Sequence, residues 1–203
     1  MLDTNLLKLE GFVTITDSIT NEILYDGKNS IHFENMSVAI AQSLLSGPLN
    51  AATSTNNGFI YQLAFGNGGT TVSNTGIITY LPPNTIGSSA TLYNQTYSKI
   101  INNNFSSNLD TTNNNITYDH IPGKAFTDLI ISCQLDYNEP SGQLAFDNSN
   151  SLNTQYAFDE MGLLSYNGQL LTHLIFSPTI KSANRLWNIK YVIRISTLSS
   201  LIS

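Results

Sequence analysis

Charge is scarce in this chain. Only 11% of its 203 residues are Asp, Glu, Lys or Arg, where ~25% is usual. Eight are basic, and the net charge is −6. Lys181, Arg185, Lys190 and Arg194 are spaced along apolar stretches instead of forming a cluster. Phosphate backbones are held by clustered Lys and Arg, so nucleic acid is not expected as the main ligand. A single cysteine, Cys133, excludes an internal disulfide. It lies in the apolar run Asp128-Leu-Ile-Ile-Ser-Cys-Gln-Leu135, where a free thiol packs as a small hydrophobe. No stretch approaches the ~20 consecutive apolar residues of a membrane-spanning helix. Residues 1–10 place an acid before the first base and have no long apolar core, which is not a signal-peptide pattern. The expectation is a reducing compartment and no membrane.

Core material is not scarce, since 41% of the chain is hydrophobic. With so few charges, the polar surface must consist of amides and hydroxyls. Such a surface suits β-sheets and broad protein–protein contacts. All-β chains of this length are commonly one domain, and a single domain over 1–203 is expected, with polar loops at 46–57, 102–115 and 147–155.

Period-two alternation dominates. Val13 and Ile15 alternate with Thr14 and Thr16, turn residues follow at 17–22, and 23–25 returns as a strand, so the chain opens on a hairpin. Residues 58–65 and 77–81 are strands, and 90–97 ends in one. The apolar run 126–135 reads as a central strand. Residues 161–166 and 169–176 flank Asn167-Gly168, whose pattern predicts a type I′ hairpin. In the last strand, 185–195, Trp187, Ile189, Tyr191, Ile193 and Ile195 share one apolar side that should face the core. One helix is predicted, at about 35–46. Asn35 is its expected N-cap, and Met36, Ile40 and Leu44 form a stripe widened by Val38, Ala41 and Leu45. Gly47-Pro48 stops it. Many strands, one helix and no βαβ alternation predict a mainly β fold, an antiparallel β-sandwich or jelly-roll-like domain with one short helix.

Motifs that carry chemistry are weak. Gly66-Asn-Gly-Gly-Thr-Thr71 follows a strand, as a phosphate loop does, but has no lysine and no helix after it. A hairpin turn is expected there. His32, His120 and His173 lack the close spacing of a metal motif, although His32 and Glu34 would share a strand face. The loop beginning at Asp147 has alternating oxygen ligands but no glycine at its sixth position, and Phe158 stands where a calcium loop needs a glutamate. Asp159-Glu160 and Asp136 with Glu139 are candidate carboxylate pairs. No catalytic, cofactor or metal residue is assigned. Residues 102–115 read as a mobile polar excursion that orders against a neighbour, with Phe105 and Leu109, four apart, as the candidate subunit contacts.

Several ordered segments together resemble a tailed-bacteriophage virion structural protein. They are Asp26-Gly-Lys-Asn-Ser-Ile31, Glu34-Asn-Met-Ser-Val-Ala-Ile-Ala41, Gly58-Phe-Ile-Tyr-Gln-Leu-Ala-Phe-Gly-Asn-Gly-Gly69, Leu92-Tyr-Asn-Gln-Thr-Tyr97 and Tyr156-Ala-Phe-Asp-Glu-Met-Gly-Leu163. The resemblance implies a non-enzymatic, oligomeric subunit of the neck, collar or tail. Its partners would be other virion proteins and copies of itself, and its location the virion, after assembly in the host cytoplasm. A capsid-decorating protein, or a carbohydrate- or receptor-binding β-sandwich, is the alternative.

Overall fold

A computed structural model describes residues 4–45, 59–141 and 155–200. The polar loops expected at 46–57 and at 147–155 up to residue 154 lie outside the described residues, as does the calcium-like loop at Asp147. The described elements are β1 (Thr4–Asp17), β2 (Ile23–Ile31), α1 (Phe33–Leu45), β3 (Ile60–Gly66), β4 (Thr70–Val72), β5 (Ile78–Tyr80), β6 (Gln95–Ile100), β7 (Asn115–Asp119), β8 (Phe126–Leu135), β9 (Gln155–Ser165), β10 (Thr172–Ser182) and β11 (Trp187–Ser200). Among the described residues, nine strands form one antiparallel sheet in the order β6-β3-β9-β10-β2-β1-β11-β8-β7, and β4 pairs only with β5.

The large sheet folds over on itself. β9 and β11 stand four places apart, and four inter-strand steps of ~4.8 Å would separate them by roughly 19 Å in a flat sheet. Yet the rings of Phe158 on β9 and Trp187 on β11 meet edge to face at 6.1 Å. The corner lies at β10, whose Thr172 and His173 pair with β2 while the strand from Leu174 on pairs with β9. The result is sandwich-like, with the main apolar core between two layers and a second, smaller cluster of Ala64, Leu92, Leu164 and Leu170. Alternation decides who enters it. Trp187, Ile189, Tyr191 and Ile193 are buried, and Asn188 and Lys190 between them are exposed. Val13 and Ile15 on β1 face the same core.

Three local expectations are corrected. β8 is not central but second from an edge, between β11 and β7; its apolar run reflects partial cover on its outer side. The N-cap of α1 is His32, not Asn35: the ring Nδ1 of His32 accepts from the Asn35 backbone N–H at 3.2 Å, and its carbonyl accepts from Met36. Asn35 sits in the first turn and donates its side-chain N–H to the Leu170 carbonyl at 2.9 Å. Its helical register turns Met36 and Ala39 inward and leaves Val38 and Ala41 exposed, so the buried stripe is narrower than predicted.

The third correction concerns the Asn167-Gly168 turn. Gly168 has φ +79°, but Asn167 is not among the positive-φ residues that a type I′ turn would require. Gly168 N–H donates to the Ser165 carbonyl, and Ser165 N–H to the Gln169 carbonyl. This is a three-residue loop with glycine in the left-handed position. Space is open around Gly168, so Gly168→Val costs backbone strain alone, about 1–3 kcal/mol. Thermal unfolding should show that loss; an unchanged midpoint would remove the glycine requirement.

Candidate functional site

The densest buried polar cluster among the described residues surrounds Asp159 and Glu160, consecutive on β9. Both side chains are buried, and so is His173 on β10. Glu160 accepts four hydrogen bonds. Its Oε1 takes the N–H groups of Gly68 (3.1 Å) and Asn94 (2.7 Å). Its Oε2 takes Tyr93 N–H (2.9 Å) and His173 Nε2 (3.0 Å). Asp159 accepts from Gly69 N–H at 2.8 Å, Thr70 N–H at 2.9 Å and the Thr70 hydroxyl. The far ring nitrogen of His173, Nδ1, accepts from Asn84 N–H at 2.9 Å. That backbone donor fixes the tautomer, leaving the ring proton on Nε2 and pointed at Glu160.

The electrostatics follow from these bonds. Burial alone raises the Glu160 pKa, but His173 and the amides of Asn94, Tyr93 and Gly68 outweigh it, so the carboxyl lies below its ordinary value. Burial dominates at Asp159, where Thr70 and Gly69 offset only part of it and the Glu160 charge adds to it; this carboxyl is raised.

The chemistry available here is limited by saturation. A carboxylate and a histidine are two members of a nucleophilic triad, but the third position is a backbone N–H. The Gly66-Asn-Gly-Gly69 loop does present converging amides, as a phosphate cradle does, but they are filled by carboxylates of the same chain. Nor is it the expected hairpin turn: β3 lies in the large sheet and β4 outside it. The cluster holds two irregular segments, 67–70 and 84–94, onto β9 and β10.

The other candidates separate. His32 and Glu34 do not share a strand face, because Glu34 is in the first turn of α1, where its carboxylate accepts from Gly87 N–H. Among the described residues, no three His, Cys, Asp or Glu side chains gather as a metal requires. Glu139 pairs with Lys99 of β6, tying the end of β8 to the opposite layer. Beside them Lys181 is fully buried and donates to the carbonyls of Asp136 (2.9 Å) and Ser182 (3.3 Å); burial lowers its pKa to about 8. Cys133 is buried as expected, and burial pushes its thiol up to about 12.

The segment 102–115 is not a bare polar excursion. Asn102, Asn108 and Asn114 are buried and take the place of strand partners. Asn102 donates to the Ile60 carbonyl at 2.7 Å, Asn108 to the Asn114 carbonyl at 2.7 Å, and Asn114 accepts from Gln134 N–H at 3.0 Å. Phe105 packs within its own chain, stacking with Tyr166 at 5.4 Å and meeting Phe59 and Tyr61, so its contact surface is largely spent internally. Leu109 is 95% exposed and stands apart from that cluster.

Within 70–80 the sequence pattern predicts only the strand at 77–81, not its pairing partner. β4 and β5 form a separate hairpin in which residues 71–80 are all exposed. Its available signal was Val72 and Ile77-Ile78 in a segment without charge. No helix among the described residues is long and apolar enough to cross a membrane. Comparison with protein families, with curated proteins and with solved structures finds no match to this chain.

Proposed function

We propose that this chain is a non-enzymatic structural subunit of a tailed-phage virion, an oligomeric neck, collar or tail component. The resemblance in the ordered segments supports the class. The observation that carries the assembly reading is the β4–β5 hairpin, where Val72, Ile77 and Tyr80 are each more than half exposed on a projection with no charged side chain. Exposed apolar patches on an otherwise folded surface mark contact sites. A surface this poor in charge also lacks the usual means of keeping copies apart. Light scattering on the purified chain should give a mass above one copy, or one that grows with concentration. Mass spectrometry of purified particles should find the chain in fixed stoichiometry; its absence from particles would overturn the virion reading.

A carbohydrate- or receptor-binding role has one observation in its favour. Tyr166 is 42% exposed on the Phe59–Tyr61–Phe105 cluster, a set of ring faces that suits sugars. Glycan-array binding lost in Tyr166→Ala would favour it over the assembly reading.

A further inference from the structure

The β4–β5 hairpin is built to reach outward. In register, Thr70 faces Tyr80 and Val72 faces Ile78, so Val72, Ile78 and Tyr80 share one face. All three are exposed. An isolated two-stranded hairpin is marginal in water, yet this one is firmly staked. Thr70 is bonded three ways at its base, by N–H and hydroxyl to Asp159 and by strand pairing to Tyr80. Leu81 N–H closes the other leg onto the Gly69 carbonyl at 2.9 Å. The tip is turned by Gly76 at φ +80° and closed by Ser73 N–H to the Ile77 carbonyl. A rigid base beneath an apolar face with no partner among the described residues is the design of a docking arm.

A candidate seat lies on the same chain. A groove of about 550 Å³ lies between the first half of β1 and α1, lined by Leu7, Leu9, Ile31, Phe33, Met36 and Ile40 among others, and no arm residue lines it. Among its described lining residues Lys8 is the only charged one. Charge also points to like meeting like. Every residue from 35 to 98 lacks a charged or histidine side chain, and this stretch supplies both the arm and the α1 wall of the groove. Two copies of a chain with net charge −6 repel, and they approach at least cost through the part that carries none.

We propose that the β4–β5 arm seats its Val72–Ile78–Tyr80 face in the apolar groove beside α1 of a second copy of this chain. The inference rests on the assembly reading and names the surfaces it uses. Because arm and groove are different patches, each copy offers one and receives one. Such head-to-tail contacts close into a ring or continue as a filament.

Cysteine cross-linking tests the contact on the full chain. The native thiol is buried, so Val72→Cys on the arm and Ser37→Cys on the groove wall introduce the reactive pair. Oxidised, the double variant should give a non-reducing ladder of dimer, trimer and larger species. Neither single variant should exceed a dimer. In parallel, Ile78→Asp should reduce the scattering mass to one copy with an unchanged melting midpoint, because the side chain replaced is on the surface. Oligomers that persist in Ile78→Asp, with no ladder in the double variant, would overturn the arm and leave the assembly reading intact. A wild-type chain that is monomeric at all concentrations would overturn self-docking, while the virion reading would still turn on particle composition.

Discussion

Replacing Glu160 with alanine should lower the melting midpoint by on the order of 10 °C. The variant leaves three backbone N–H groups and the His173 N–H without their acceptor, in a place where the Glu160 side chain has no exposure. Removing one partner of a buried charged network costs about 3–5 kcal/mol, and a chain of this size loses about 2–4 °C per kcal/mol. The pH dependence carries a sign. The folded pKa of Glu160 is below the ordinary 4.5, so its stabilisation is complete above 4.5 and is lost as pH falls through the folded value. Asp159, raised above 3.8, acts oppositely: its contribution is present below 3.8 and is lost as pH rises through its folded value. Glu160→Gln should therefore lose less stability than wild type on acidification below 4.5. Parallel acid limbs for the two proteins would mean that Glu160 is not the charged hub of the cluster.

Trp187→Ala should cost a similar ~3–5 kcal/mol, the usual range for emptying a large aromatic site in a core. Trp187 is 1% exposed and touches Phe158 across the layers. As the only tryptophan, it also reports on itself. Wild-type emission should be blue-shifted when folded and move to the red on unfolding. Chemical denaturation of Trp187→Ala, followed by circular dichroism, measures the loss. A drop well under 1 kcal/mol, or red emission from the folded wild type, would mean that the two halves of the sheet do not close over this ring.

Legibility in the sequence tracked how local each signal is. The alternation of Trp187, Ile189, Tyr191 and Ile193 needs only its own strand, and its buried face agrees with the pattern. Gly168 was legible as a glycine-requiring turn position, although the turn type depends on the Asn167 backbone, which its side chain does not dictate. The edge-side place of β8 was not legible, because a continuous apolar run is also produced by cover from the layer's own flanks. Glu160 and His173 were each visible as titratable residues, but their pairing follows only once the antiparallel register sets Glu160 opposite Ile175. The asparagines at 102, 108 and 114 read as solvated because the same amide that bonds water can replace a strand neighbour, and composition does not distinguish the two uses. Of the β4–β5 hairpin only the strand at 77–81 is legible; its isolation from the main sheet is a property of topology and has no local signature.

The place of β11 in the sheet has a consequence for synthesis. It lies between β1 and β8, and both are made before it. Until it emerges, β1 has β2 on one side and nothing on the other, and the β7–β8 pair has no route into the sheet. The nascent chain therefore holds three separate pairs, β3–β6, β1–β2 and β7–β8, until β9 and β10 join the first two, and the β7–β8 pair stays apart until β11 is made. Long-range pairings of this kind are slow to form and leave sticky edges exposed in the interval. Low-temperature expression, which slows aggregation of such unjoined pairs, should raise the soluble yield more for this chain than for a domain whose strands pair in sequence order.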